Sequence, residues 1–255
     1  GNIWLGEWDS GLYKLNKKTK VFEHIAGTFG KESKLTGSNI QKILECQQGY
    51  LWIGTESGLN FYDTHLNKNY IFNHNPENSN TISGNAVQSN ALIKDPEGNI
   101  WVGIWSGGLN KITMPDNNPE KAVITHWKND PLNPRSLNND NVISLFHDDS
   151  VLWIGSFGGG LSKYDIKNET FKHYTTSDGL PNNIIFSIIK DDSGNLWLST
   201  DGGISKFDPL KETFKNYYES DGLQSDHFFW GSSYKGKSGK VYFGGIKGVN
   251  SFYPD

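Results

Sequence analysis

One tetrad, aliphatic–aromatic–aliphatic–small, recurs six times and constrains the fold more than any other feature. It reads Ile3-Trp4-Leu5-Gly6, Leu51-Trp52-Ile53-Gly54, Ile100-Trp101-Val102-Gly103, Leu152-Trp153-Ile154-Gly155, Leu196-Trp197-Leu198-Ser199 and Val241-Tyr242-Phe243-Gly244. The aromatic positions are 48, 49, 52, 44 and 45 residues apart. Such a period suits a four-stranded propeller blade and is long for most helical solenoids.

Each tetrad has similar flanks. Seven or eight residues after the aromatic comes an aliphatic preceded by glycine: Leu12, Leu59, Leu109, Leu161, Ile204 and Val249. Short alternating runs follow, such as Leu161-Ser162-Lys163-Tyr164-Asp165 and Thr170-Phe171-Lys172-His173-Tyr174, and another β-rich run precedes each tetrad except the first. Runs this short, rich in β-branched and aromatic residues and bounded by Gly, Asn, Asp or Pro, read as strands. The expected fold is therefore all-β: a β-propeller of four-stranded antiparallel blades, with strands a to d and the tetrad as b.

The tetrad is apolar on both alternating faces, as expected where a sheet is sandwiched between two neighbours. Its glycine is expected to let a side chain of the next blade approach closely. Asp95-Pro96-Glu97-Gly98-Asn99 and Asp191-Asp192-Ser193-Gly194-Asn195 supply turn residues between strands a and b. The expected organisation is a single propeller region over 1–255, with blade units at about 1–26, 39–75, 86–129, 141–176, 183–219 and 228–255. The chain opens at a strand b and stops after a strand c. That count implies an incomplete ring, six modules of seven, or closure by a partner copy, and the chain reads as an excerpt of something longer.

With 24 basic and 28 acidic residues the net charge is −4, which gives no electrostatic reason to bind nucleic acid or an anionic membrane. A polyanionic sugar stays open, because local patches are invisible in a sum. Cys46 is the only cysteine, so neither an internal disulfide nor a cysteine-based metal site can form, and it reads as a small buried hydrophobe. No apolar run is long enough to span a membrane as a helix.

The repeat also resembles a known family. Asp, turn, Gly, aliphatic-Trp-aliphatic-Gly, then Gly-Gly-Leu and a Lys-aromatic-Asp segment are similar to the two-component regulator propeller repeat. The linkers resemble it too: Asn75-Pro76-Glu77-Asn78-Ser79-Asn80-Thr81-Ile82-Ser83, Asp130-Pro131-Leu132-Asn133-Pro134-Arg135-Ser136-Leu137-Asn138, Asp178-Gly179-Leu180-Pro181 and Asp221-Gly222-Leu223-Gln224. The last unit, ending in Phe252-Tyr253-Pro254-Asp255, is similar to the repeat that precedes an immunoglobulin-like domain. Ser199, Tyr242 and Ser150 depart from the pattern at single positions.

The resemblance implies a periplasmic sensor region of a bacterial hybrid two-component histidine kinase of the Bacteroidetes type. Its partners would be an oligosaccharide, an adjacent propeller and the immunoglobulin-like domain, within a homodimeric receptor that controls carbohydrate-utilisation genes. Kinase and receiver activity would reside in other domains, so this chain itself is expected not to be an enzyme.

No catalytic residue, metal ligand set or cofactor is assigned. His24, His74, His126 and His173 read as occupants of one strand-d slot, with Asn216 as the fifth; equivalent slots in different blades diverge and cannot converge on one ion. His65, His147 and His227 lack ligand spacing. Gly158-Gly159-Gly160 and Gly107-Gly108 join strands, whereas a phosphate cradle opens a helix. A sialidase would need an arginine cluster, yet Arg135 is the only arginine. A streptogramin-lyase-like or quinoprotein-like enzyme, or a protein-interaction scaffold, are the alternatives to a sensor.

The b–c turns and d–a connections of a propeller share one face. The long d–a loops here, at about 26–39, 73–86 and 128–141, are rich in Asn, Ser and Pro. The b–c turns of the first, third and fourth units carry an extra residue and an aromatic: Trp8, Trp105 and Phe157. Glu7, Trp8, Trp105 and Phe157, with Trp230 as an outlying member, are the candidate ligand-binding residues. Trp4, Trp52, Trp101, Trp153, Trp197 and Tyr242 are the structural set. The competing reading of the candidates is packing between loops or against another domain.

Overall fold

Every tetrad becomes the second strand of a blade, or the first where strand a is absent. The computed structural model describes residues 2–26 and 35–254, so part of the 26–39 loop lies outside the described residues. The first blade comprises β1 (Trp4–Glu7), β2 (Gly11–Asn16) and β3 (Val21–Ala26); the second, β4 (Ile40–Gln47), β5 (Tyr50–Thr55), β6 (Gly58–Asp63) and β7 (Lys68–Phe72). The third is β8 (Val87–Lys94), β9 (Ile100–Ile104), β10 (Gly108–Thr113) and β11 (Val123–Trp127). The fourth is β12 (Val142–Asp148), β13 (Val151–Ser156), β14 (Leu161–Asp165) and β15 (Thr170–Tyr174). The fifth is β16 (Ile185–Lys190), β17 (Leu196–Thr200), β18 (Gly203–Asp208) and β19 (Thr213–Tyr217); the sixth, β20 (Phe228–Lys235), β21 (Val241–Gly245) and β22 (Gly248–Phe252).

Consecutive strands within each blade pair antiparallel, and the first and last blades have three strands. The chain divides into two compact units, Gly1–Trp127 and Lys128–Asp255. No helix among the described residues is long and apolar enough to cross a membrane.

The tetrad glycines explain how successive blades pack. A methyl on Gly54 would collide with Val87 Cγ1, and one on Gly6 with Ile40 Cγ2. On Gly155 it would lie 2.8 Å from Ile185 Cβ. Ile40, Val87 and Ile185 are each the first residue of the next blade's first strand. In the fifth blade Ser199 replaces the glycine, and its hydroxyl turns back within the blade to the Ser187 hydroxyl at 2.6 Å. The close approach buries the neighbouring indoles: Trp52, Trp101 and Trp153 are at most 1% exposed. Removing such a side chain costs about 3–5 kcal/mol.

Cross-strand register adds a second layer. Trp4, Trp101, Trp153 and Trp197 pair directly with Lys14, Lys111, Lys163 and Lys206. Each ammonium lies 5.3–5.7 Å from the ring centroid, a cation–π contact worth about 0.5–1 kcal/mol at exposed sites. In the second blade Phe61 takes that slot and packs on Trp52 at 5.1 Å.

The a–b turn aspartates do more than shape a turn. Asp95 accepts the Asn99 amide at 2.7 Å and the Trp101 indole N–H at 2.9 Å. Asp191 repeats this with Asn195 at 2.8 Å and Trp197 at 2.9 Å. Burial pushes the Asp191 carboxyl up, but these hydrogen bonds outweigh it and hold it below the ordinary aspartate range. Its stabilising contribution is therefore present at neutral pH and is lost as pH falls through that lowered value. Six residues before Trp52 and Trp153 stand Cys46 and His147 instead, and both indole N–H groups lack an acceptor among the described residues.

Two stability outcomes follow. Gly54→Ala should lower stability by about 1–3 kcal/mol through overpacking. Gly54→Ala combined with Val87→Ala should cost less than the sum of the two single changes, measured by urea unfolding. Cys46→Asp should supply the missing acceptor and raise the urea midpoint, with a gain of about 1 kcal/mol; no gain would show that the Trp52 indole does not need one.

Candidate functional site

The b–c turns hold the sequence candidates. In the first, third and fourth blades the aromatic is followed by a left-handed residue: Asp9 (φ 66°), Ser106 (φ 56°) or Gly158 (φ 106°). The turns meet the d–a connections, as the strand count implies. The Asp9 amide donates to Asn39 Oδ1 at 2.7 Å, the Trp105 amide to the Ala86 carbonyl at 2.9 Å and the Phe157 amide to the Asn141 carbonyl at 2.8 Å. Buried c-strand amides pin the same connections: Asn110 accepts the Ser83 amide at 2.9 Å, and Asn60 accepts the Thr36 amide at 3.0 Å.

The candidates fall into two environments. Glu7 and the adjacent Trp8 are exposed in the first unit, Trp8 at 68%, and Trp105 of the same unit is 36% exposed. In the second unit Phe157 stacks on Trp230 at 5.7 Å with a 20° interplanar angle. Trp230 in turn lies 5.6 Å from Phe186, so the three rings form a packed cluster. Phe157 and Trp230 are brought together, but each already has a ring against it.

Sequence reasoning missed the bulges that place these groups. In β4, β12 and β16 the residue after the first, Gln41, Ile143 or Phe186, interrupts pairing with the tetrad strand, and β4 is interrupted again at Cys46. In β8 the interruption spans Gln88–Ala91, and in β20 it spans 229–232, including Trp230. Bulges re-aim side chains and end pairing locally. Ser89 uses the β8 bulge to donate to Gln41 Oε1 at 3.0 Å. Beside Gln41, burial pushes the half-buried Lys42 ammonium below its ordinary value. The signal was present as spacing: 14 residues separate Val87 from Trp101 and Phe228 from Tyr242, against 12 from Ile40 to Trp52.

The histidines mostly fasten loops. His24, His126, His173 and Asn216 do share a register position, opposite Tyr13, Asn110, Ser162 and Ser205. His74 does not: Ile71 stands opposite Asn60, and β7 ends at Phe72. The second blade reaches its turn sooner, which carries His74 into the loop, where it bonds the Ile82 carbonyl at 2.8 Å. His126 donates to the Thr81 carbonyl at 2.6 Å, and Asn216 to the Gly179 carbonyl at 2.9 Å.

His173 Nε2 donates to the Ser136 carbonyl at 2.9 Å, which fixes Nδ1 as the acceptor of the Ser162 hydroxyl at 2.8 Å. That Ser–His pair has nucleophile–base spacing, but Ser162 is 2% exposed and lies in the sheet. The groups gathered at the turns can stack and hydrogen-bond a ligand.

Comparison with known proteins agrees with this architecture. Residues 179–202 match the two component regulator propeller family model. The extracellular domain of BT3049, assigned to the hybrid two component systems of B. thetaiotaomicron, superposes with a TM-score of 0.78 at 23% identity. The match covers 99% of this chain and 32% of that one. The extracellular domain of BT4673 from the same organism, likewise assigned, gives 0.69 at 17% identity over 100% of this chain and 40% of that one. Virginiamycin B lyase from Staphylococcus aureus gives 0.59 at 14% identity over 84% and 69%. No curated protein sequence matches the chain. At these identities the structural likeness shows the fold, a β-propeller, and the chain spans about a third of the first relative's length.

Burial lowers the His173 pKa from 6.5, while the Ser136 carbonyl works the other way. Folding therefore favours the neutral ring, and stability falls as pH drops below the unfolded-state value. His173→Asn, which copies Asn216, should remove this component. The wild type should lose more urea resistance between pH 7 and pH 5 than the variant, and equal losses would sink the assignment.

Proposed function

We propose that this chain is the ligand-recognising propeller of a periplasmic two-component sensor and that its ligand is an oligosaccharide. The observation that carries the reading is the exposure of Trp8 and Trp105 at equivalent turns, while the tetrad tryptophans of their neighbours are buried. The exposed Trp8 ring, adjacent to Glu7 and to amide-rich loops, offers what a sugar needs: a plane for its axial C–H groups and polar atoms for its hydroxyls. The packed Phe157–Trp230–Phe186 cluster shapes the rim of the second unit and is not itself a stacking platform in this reading.

The two-component repeat match and the extracellular-domain neighbours support the sensor assignment. In the proposed receptor the six blades belong to one propeller region beside a second propeller and an immunoglobulin-like domain. The receptor is a homodimer, and binding regulates carbohydrate-utilisation genes through kinase and receiver domains elsewhere in the polypeptide.

The test is calorimetric titration of the protein with a panel of neutral and acidic oligosaccharides. Trp8→Ala and Trp105→Ala should each weaken the bound sugar by about tenfold or more, the loss expected of roughly 1.4 kcal/mol. The Trp8 variant should keep the wild-type melting temperature, because that ring is exposed. Undiminished affinity in the double variant would refute the site. Release of new reducing ends from any sugar would replace the sensor reading with an enzymatic one.

A further inference from the structure

In the fourth and fifth blades the first-strand residue opposite the end of the tetrad is a serine. Ser144 stands opposite Gly155, and Ser187 opposite Ser199. Both hydroxyls are used in packing: Ser144 donates to the Ile185 carbonyl at 2.7 Å, and Ser187 meets Ser199 at 2.6 Å. In the second blade the residue opposite Gly54 is Lys42. Opposed residues share a face of the sheet. A methyl on Gly54 would strike Val87, so Lys42 lies on the face of β4 turned to the third blade. Both blades that bracket it carry four strands.

The ammonium placed there has no counter-ion among the described residues. Burial alone acts on Lys42, with no carboxylate to offset it. The acids carried by β4 and by the turn after β5 are engaged elsewhere. Glu45 belongs to the opposite face by strand alternation and accepts the Gly49 amide at 3.2 Å, while Glu56 accepts the Asn39 amide at 3.1 Å. Beside Lys42, Gln41 Oε1 accepts the Ser89 hydroxyl from the β8 bulge at 3.0 Å. The Gln41 amide NH2 is left without a partner among the described residues. In the second unit the bulge residues are instead Ile143, Phe186 and Trp230, packed into one apolar cluster. A half-buried cation without a partner costs stability. Serine meets the packing need at the equivalent positions, so packing does not account for the lysine.

We propose that Lys42 and Gln41 form an anion-binding subsite for an acidic oligosaccharide. A carboxylate or sulfate of the sugar accepts from the Lys42 ammonium and from the Gln41 amide. This subsite presupposes the oligosaccharide reading above and narrows its ligand to acidic sugars. Charge-assisted hydrogen bonds of this kind are roughly twice as strong as neutral ones. A bound anion also favours the protonated lysine, against the push of burial. The net charge of −4 does not exclude such a ligand, because one cation without a counter-ion is invisible in a sum.

The test is an NMR titration of the full chain with isotope-labelled methyl groups on its lysines, which keep their charge. The Lys42 signal is assigned by its loss in Lys42→Gln. The probes are a trigalacturonate, its methyl ester, a sulfated chondroitin disaccharide and inorganic sulfate. The trigalacturonate or the sulfated disaccharide should shift the Lys42 signal saturably, and whichever does so identifies the acidic group. The methyl ester and inorganic sulfate should leave it in place at equal concentration. Lys42→Gln should weaken the acidic sugar by about tenfold or more, and Lys42→Arg should restore most of the loss. A Lys42 signal unmoved by both acidic sugars overturns the subsite, as does unchanged affinity in Lys42→Gln. Equal movement with inorganic sulfate also overturns it, by making this a site for simple anions. A neutral sugar that still depends on Trp8 would then leave the oligosaccharide reading standing without the acidic subsite. An acidic sugar that depends on Lys42 but not on Trp8 would keep the subsite and remove the aromatic platform.

Discussion

The structure depends on the close approach that a missing side chain at the end of a tetrad permits. Gly6, Gly54 and Gly155 let the first residue of the following blade, Ile40, Val87 or Ile185, come closer than any Cβ would allow. Once blades approach that closely, the neighbouring tryptophan loses water from both faces, and its large apolar area becomes the main stabilising term in the repeat. The order of dependence runs from glycine to indole, which is why the small residue recurs as faithfully as the aromatic. Ser199 tests the rule. It is tolerated because its hydroxyl finds Ser187 inside its own blade and does not project at the next one.

Most of the scaffold was legible because periodicity is a property of sequence. Six tetrads, the glycine-led aliphatic after each and the turn residues were enough to place strands b, c and d. Polar pairing was less legible. Nothing in the string says that Asp95 and Asp191 serve the indole six residues on, and only geometry shows Trp52 and Trp153 without that acceptor. His74 was misplaced because sequence alignment of repeats assumes equal strand lengths, and β7 ends sooner than the alignment supposes. The wide bulges of β8 and β20 left a trace in spacing alone, since inserted residues in a strand resemble the strand around them.

The candidate site was half legible for a related reason. Composition reveals an aromatic in a turn; it does not reveal what lies against the ring. Trp8 and Phe157 occupy the same place in their turns, yet one is open to solvent and the other is stacked. The difference comes from a distant segment: the β20 bulge delivers Trp230 to Phe157. Identical local sequence logic therefore yields an exposed ring in one blade and a packed cluster in another.

Repetition also separates the residues that build the fold from those free to read a ligand. A position whose environment recurs from blade to blade, such as the tetrad glycine or the lysine over the tryptophan, is fixed by packing and can vary only with compensation. A position whose environment differs between blades escapes that constraint. The turn aromatics and the wide bulges of β8 and β20 are of this second kind. In the proposed sensor, recognition falls to departures from the repeat, held in place by the parts that do not depart.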